Sequence, residues 1–416
     1  MPHAVKDMGM AEQGRRNIEW AERQMGALLT IKERFEKDKP LSGVRVGMAL
    51  HVTKETAVLV RTLVAGGADV AITGCNPLST QDDVAAALAD EGVSVYAHKG
   101  ETADEYYDFL NRVIDHDAHI TIDDGCDLVV ELHTKRTDKL DTVIAGCEET
   151  TTGIIRLRAM EQDGALKYPM LAVNDCRTKH LMDNFYGTGQ SALDGILRAS
   201  NILFSGKKVV VVGYGNCGKG VADRAKGLGA QVIVTEVDSF RGLQAAMDGF
   251  QVMPMDEAVK VGEVYVTVTG NAKVISVDHI KAMKDGAVLA NAGHFDNEVD
   301  VFGLEEISKD KREIRPYFDE YDLGGKVVFL CGEGRLVNLA AAEGHPSTVM
   351  AMSFCDQALG VEYGVKYGKD LSSKVHELPQ ELDDHVATLQ LEAMDISIDA
   401  PTEEQIEYLS SWSHGT

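Results

Sequence analysis

The sequence contains no run of about 18 apolar residues, the length at which a helix crosses a bilayer. Its first residues, MPHAVKDMGMAEQ, hold no apolar core of the kind a secretory signal needs. Together these absences predict a soluble, cytoplasmic protein with no membrane partner. Positive charge is also scarce. Lys and Arg number 41 against 66 Asp and Glu, a formal charge of −25. Such a surface repels phosphate backbones and anionic lipid, so nucleic acid is excluded as a main partner. None of the cysteines (Cys75, Cys126, Cys147, Cys176, Cys217, Cys331, Cys355) forms a CxxC pair, and their number is odd. Free buried thiols in a reducing compartment are expected, with no zinc site or other metal. No internal repeat, low-complexity tract or long linker is present.

Against these absences stands VVVVGYGNCGKG, Val209 to Gly220. An apolar strand runs into a glycine turn that opens a helix. Gly213 permits the tight turn, Gly215 lets backbone approach a pyrophosphate on the helix N-terminus, and Gly218 lets helix and strand pack closely. Glu236 closes the next strand about 20 residues on, where an acid bonds a ribose diol and repels a 2′-phosphate. NAD is therefore the expected cofactor.

Around this motif the chain alternates strand and helix. Val44–Leu50, Asp69–Thr73, Val93–Ala97 and His119–Asp123 read as strands. Thr53 caps a helix that Gly66-Gly67 ends. The segment IEWAERQMGALLTIKERFEKD has helical periodicity. A second α/β unit begins near Lys207, with VYVTVTGN and AVLANAGHFD as later strands, and after about residue 345 the chain turns helical and acidic. The fold class is α/β: a doubly wound Rossmann-type NAD domain, centred on residues 190–343, inserted in or following a second α/β domain. Nothing local says where the last 70 or so residues go.

Several clusters could carry chemistry. Lys179 and Asp183 stand four apart, with Asn184 beside them. They are either a surface ion pair or a lysine tuned as a general base by its neighbours. Asp123-Asp124-Gly125 ends a strand, where α/β sites form, or is a turn. Glu148-Glu149-Thr150-Thr151-Thr152-Gly153 places three hydroxyls in a row, which suits a ligand-bonding loop or a helix cap. His51 and Glu55 flank Thr53 at another strand end. His294 and His345 each follow a glycine.

Together, HVTKET, DDGCDL, EETTTG, NDCRTKHLMDNFYG, GYGNCGKG, NAGHFD and GEGRLVNLAAAEGHPS resemble the S-adenosylhomocysteine hydrolase family, in the family's order and over nearly the whole chain. The resemblance implies a substrate domain in two parts, residues 1–181 and 347–394, around the NAD domain of residues 190–343, with a C-terminal segment of residues 395–416 and hinges near 175–190 and 340–350. It implies a homotetramer with tightly held NAD and a small nucleoside thioether as substrate. The implied chemistry is a reversible, net hydrolysis: 3′-oxidation of the ribose, elimination of homocysteine, addition of water and re-reduction.

The resemblance also implies roles. Lys179 handles the 3′-hydroxyl proton beside Asp183 and Asn184. Burial lowers the pKa of such a lysine and Asp183 raises it, so the net direction is open. Asp124 acts at C4′, His51 near C5′ and the leaving sulfur, Glu149 on the ribose hydroxyls, and His294 near ribose and nicotinamide. Thr53, Glu55, His345 and Met350 bind the purine end. Thr150, Thr151, Thr152, Gly213, Gly215, Asn216, Gly218, Glu236, Asn271 and Asn338 bind NAD.

Three departures stand out. Thr188 replaces the family's usual cysteine. The ending YLSSWSHGT resembles shorter archaeal members and lacks the tail Lys and Tyr of longer ones. Arg61 sits where some members help hold a monovalent cation, so that ion is not expected. A plain NAD-dependent dehydrogenase or an NAD-sensing regulator would share the fingerprint without needing the other blocks. The purine is the closer question, because some archaeal relatives prefer S-inosylhomocysteine. An ionised Glu55 only accepts hydrogen bonds, which suits the adenine amine, though hypoxanthine N1–H is also a donor.

Overall fold

In the computed structural model, residues 3–412 are described, so the last four residues of the 395–416 segment lie outside them. The predicted strands form. In the first half they are β1 (Arg45–Ala49), β2 (Asp69–Thr73), β3 (Ser94–Tyr96) and β4 (Ile120–Asp123), and two strands not expected from the sequence, β5 (Ala145–Glu148) and β6 (Met170–Ala172), extend the sheet. Their residues are short apolar runs buried on both faces, as parallel strands covered by helices require. The second unit holds β7 (Lys208–Val212), β8 (Gln231–Thr235), β9 (Gln251–Val252), β10 (Val264–Thr267), β11 (Ala287–Asn291), β12 (Asp310–Arg315), β13 (Phe318–Asp322) and β14 (Val327–Cys331). A last strand, β15 (Val375–His376), follows it.

Strand order places the sites. The first sheet runs β15-β6-β5-β4-β1-β2-β3, with every pairing parallel. The chain leaves β1 toward β3 and returns as β4 on the other side of β1. The carboxyl ends of β1 and β4, which carry His51 and Asp124, therefore flank a topological switch point. The second sheet runs β12-β13-β14-β11-β10-β7-β8-β9. Its switch lies between β7 and β10, directly under the glycine turn.

Two features differ from the sequence expectation, and a third shows where the last part of the chain goes, as the resemblance implies. The N-terminal periodic run is two helices, Ala11–Glu22 and Gly26–Asp38, broken where Met25 takes φ −113° and ψ 43°. Strands β12 and β13 form an antiparallel hairpin at the sheet edge, and β12 is fully exposed. Its charged sequence, DKREIR, is one that discourages further pairing. Third, the chain after the NAD unit does return to the first sheet. Strand β15 pairs with β6, and Ala351, Phe354, Cys355, Ala358, Val361, Val386 and Leu389 of the following helices join the same core as β1 and β4. All seven cysteines are free. No helix among the described residues is long and apolar enough to cross a membrane.

Candidate active site

His51, Asp124 and His294 meet above the first switch point. Thr53 N–H and Thr56 Oγ1 both donate to the His51 carbonyl, at 2.9 and 2.6 Å, which fixes the backbone where β1 turns into the helix Lys54–Ala65. Thr53 caps that helix as expected, its Oγ1 accepting from Thr56 N–H. The His51 ring has Nδ1 2.8 Å from Ser79 Oγ and Nε2 3.4 Å from Asp124 Oδ2. Burial lowers its pKa to about 4, so the ring is neutral near pH 7. His294 Nδ1 lies 3.5 Å from Asp124 Oδ1. Gly125, at φ +105°, makes room for it: a Cβ there would sit 2.1 Å from His294 Nε2.

Lys179, Asp183 and Asn184 also come together, although the helix that joins them is short. Arg177–His180 is one α-turn, and Asp183–Gly187 continues as a π-helical turn. Lys179 Nζ donates to Asp183 Oδ1 at 3.2 Å and to Asn184 Oδ1 at 2.9 Å, and lies 3.8 Å from Glu149 Oε1. All four residues are buried, so the surface ion-pair alternative is excluded. Burial works against the ammonium, but Asp183, Glu149 and Asp124 outweigh it and raise the lysine. Lys179 is thus a held cation in this state, which answers the direction left open above.

Glu149 is the complementary group. Burial pushes its carboxyl up to about 7, with Lys179 pulling down and Asp183 pushing up. Ser353 Oγ donates to its Oε1, and Gln357 Nε2 donates to Oε2 at 2.6 Å. Behind it, Asp123 and Glu148 are fully buried and raised by desolvation, Asp123 to about 8. Glu148 Oε1 accepts from the Gly125 and Thr150 N–H groups at 2.8 and 3.0 Å. One buried carboxyl therefore holds the two strand-end turns that carry Asp124 and Glu149.

The purine-end residues Thr53, Glu55, His345 and Met350 line one cavity with His51, Asp124 and Glu149. Its volume is about 50 Å³. Glu55 Oε1 accepts from Ser347 Oγ at 2.6 Å and lies 3.3 Å from Lys54 Nζ. Lys54 also reaches Glu343 Oε2 at 3.0 Å, tying the helix after β1 to the end of the NAD unit. Thr188 Oγ1 is 3.1 Å from His345 Nε2, so the hydroxyl in the cysteine's place touches the purine-end histidine.

Gly213, Gly215, Asn216 and Gly218, expected to bind the cofactor, lie at the second switch point. Gly213 takes φ +104°, and a Cβ at Gly218 would lie 2.0 Å from Gly213 O, so both glycines are sterically required. A Cβ on Gly215 would meet only Arg241 Nη1, at 3.8 Å, leaving that face open to a phosphate. Asn216 begins the helix Asn216–Gly227, whose first turn has no side-chain cap. Glu236 sits beside the turn, accepting from Tyr214 N–H at 2.7 Å. Asn338 donates to Ser191 Oγ at 3.1 Å, while its buried Oδ1 has no partner. An orphaned acceptor, an open glycine face and an uncapped helix start are what a dinucleotide would fill, so the residues fit NAD. Thr151 and Thr152 open the helix Thr151–Gln162 and do not form a loop, and Thr150 makes no capping bond. Thr152 Oγ1 is 3.5 Å from where a Cβ on Gly270 would be, next to exposed Asn271.

Among the described residues, two groups bring three potential metal-ligand atoms within 4.8 Å: His51, Asp124 and His294, and Cys176, Asp356 and Asp383. The first is the cluster above. In the second, Thr178 Oγ1 hydrogen-bonds both aspartates, and no ion is needed to explain it.

Sequence reasoning missed Ser79, Cys75, Lys54, Ser347, Ser353, Gln357 and Arg241. The signal for two of them was present: Ser353 and Gln357 stand four apart in the otherwise apolar MAMSFCDQALG, a polar stripe on a buried helix.

A Rossmann-type unit beside a buried carboxylate, lysine and histidine cluster defines a dinucleotide-dependent enzyme. The comparisons narrow this class. Residues 184–344 match the family model described as S-adenosyl-L-homocysteine hydrolase, NAD binding domain, and residues 2–146 match S-adenosyl-L-homocysteine hydrolase. The chain is 58% identical to a protein from Methanocaldococcus jannaschii named S-inosyl-L-homocysteine hydrolase, covering 100% of both chains. It is also 58% identical to an adenosylhomocysteinase from Saccharolobus solfataricus, again with 100% of both covered. A third relative, an adenosylhomocysteinase from Archaeoglobus fulgidus, is 57% identical over 97% of this chain and 100% of its own. The chain belongs to the S-adenosyl-L-homocysteine hydrolase family, and NAD is its cofactor.

Proposed function

We propose that the protein reversibly hydrolyses S-adenosyl-L-homocysteine to adenosine and L-homocysteine. The observation that carries this reading is the convergence of Lys179, Glu149, Asp124, His51 and His294 on one side of the purine-end cavity. An alkyl thioether at an unactivated carbon resists direct attack by water. Bound NAD supplies reversible oxidation at ribose C3′, which acidifies the C4′ proton. The chain's own residues do the rest. Glu149, at about 7, is matched to accept the 3′-hydroxyl proton near neutral pH, while the Lys179 ammonium stabilises the charge left on oxygen. Asp124 handles the C4′ proton, and neutral His51 moves a proton at C5′, to the departing sulfur and from the incoming water.

The domain division supports the same reading. We take residues 1–181 and 347–394 as the substrate domain, since both contribute to one core, and residues 190–343 as the NAD domain. The cavity of about 50 Å³ is well below the roughly 300–1,000 Å³ of ligand pockets. Entry of a nucleoside therefore needs the domains to part about the segments near 175–190 and 340–350, breaking Lys54–Glu343 and the 2.8 Å bond from Lys99 Nζ to Ala340 O. A cytoplasmic homotetramer completes the reading. The exposed Phe240, Leu243 and Met247, on one face of the helix Ser239–Met247, support a subunit contact there.

For the purine, Glu55 favours adenine. With Ser347 donating to it and the Lys54 ammonium beside it, Glu55 is set as an acceptor, the partner of a 6-amino group. Homocysteine release from the purified protein is expected to be faster from the adenosyl than from the inosyl substrate, by on the order of tenfold or more in kcat/KM. Glu55→Gln is expected to narrow that ratio. Equal or faster inosyl turnover would assign the inosyl substrate instead, the activity named for the Methanocaldococcus jannaschii relative.

A further inference from the structure

The loop after β2 supports His51 from the side away from Asp124, and the placement of Ser79 against the Asn76 carbonyl points its hydrogen bonds in one direction. Ser79 Oγ lies 3.0 Å from the Asn76 carbonyl oxygen. A carbonyl only accepts, so the single hydroxyl proton of Ser79 is committed to Asn76. The loop is pinned by Ser79 N–H to Asn76 O at 3.2 Å and Leu78 N–H to Asn76 Oδ1 at 2.9 Å, and Ser79 is 2% exposed. The same Oγ is 2.8 Å from His51 Nδ1. With its proton given to Asn76, Ser79 is placed to accept here from Nδ1–H.

We propose that Ser79 is a positioning residue that sets the tautomer of His51, keeping the proton on Nδ1 and presenting Nε2 to the site as a lone pair. The kinetic consequence rests on the function proposed above, but the tautomer itself does not. A neutral imidazole carries one proton, so with Nδ1–H the Nε2 atom is bare. It lies 3.4 Å from Asp124 Oδ2. The Asp124–Nε2 axis is therefore the path by which a proton taken up by Asp124 at C4′ reaches Nε2 and passes on toward C5′. Cys75 Sγ, 3.2 Å from Nδ1, is a protonated thiol, since burial raises it well above the ordinary thiol range. It is a weak acceptor and cannot replace the serine oxygen. Without Ser79 the ring is free to put its proton on Nε2 and donate to Asp124, and it then has no site for the proton it must take. The wrong tautomer is costly in other histidine-dependent enzymes.

The test is ring nitrogen-15 NMR on the full-length, cofactor-bound protein labelled at histidine, with the His51 signals identified by their absence in His51→Gln. The expected wild-type spectrum shows Nδ1 protonated and Nε2 unprotonated. Ser79→Ala is expected to shift the ring toward the Nε2–H form and to slow homocysteine release about tenfold or more in kcat, with KM little changed. An Nε2–H tautomer in the wild type would overturn the proposal, and this readout holds even if Ser79→Ala does not fold. A folded Ser79→Ala that keeps the Nδ1–H form would overturn the role of Ser79. An Nδ1–H wild type with no thiol release from either nucleoside would support the tautomer and overturn the functional reading.

Discussion

Lys179→Ala is expected to lower homocysteine release by about 10³-fold while the protein keeps its fold and its NAD. The size follows from what the ammonium does. It is buried with Asp183 and Glu149, and in the proposed mechanism it faces the charge left once the 3′-hydroxyl proton leaves. Removing one preorganised donor to such charge costs about 10²–10³ in rate. The raised Glu149 pKa that follows loss of the ammonium adds to this near neutral pH. The pH profile supplies a second readout. Glu149 acts ionised, so wild-type activity is expected to rise with pH through about 7 and level off above it. The lysine lowers the Glu149 pKa, so in Lys179→Ala the residual activity is expected to need higher pH. A variant with full turnover and an unmoved profile would remove the lysine from the oxidation step.

Gly218→Ala is the second large effect. Its Cβ would fall 2.0 Å from Gly213 O, a contact that backbone cannot relieve by a side-chain rotation. The helix Asn216–Gly227 must move off β7, and its first N–H groups move away from the pyrophosphate position. The purified variant is expected to retain less than about a tenth of the NAD of the wild type, since 1.4 kcal/mol already costs a factor of ten in affinity. Cofactor released on denaturation and quantified per chain gives the answer. Full NAD content in Gly218→Ala would show that the turn is not the pyrophosphate site.

These two positions show what a sequence makes legible. Gly213 and Gly218 act through positive φ and a missing Cβ, both local properties, and the strand-turn-helix context could be read around them. Lys179, Asp183 and Asn184 were legible through i,i+4 spacing, even though the helix there breaks into an α-turn and a π-turn, because the bonded side chains span the break. Ser353 and Gln357 were not assigned, because their role exists only once the chain after the NAD unit returns, pairs as β15 with β6, and lays its helix against Glu149. The motif EETTTG was half legible. Its hydroxyls promised a ligand-bonding loop, but tertiary packing starts a helix at Thr151, whose Oγ1 bonds Asn174. Glu148 carried no sequence signal for its role, since a buried carboxyl that holds two turns exists only once both turns pack around it.

The central claim is that oxidation and re-reduction occur within one turnover, so that the net reaction is hydrolysis. Its most direct test is S-adenosyl-L-homocysteine deuterated at ribose C3′, turned over by the protein with no added NAD. The account predicts many turnovers per bound cofactor, with equal adenosine and homocysteine, and with deuterium retained at C3′ of the adenosine. Turnover that stops after one equivalent, or that needs free NAD and transfers the deuterium to it, would contradict the account and return the protein to the ordinary dehydrogenases.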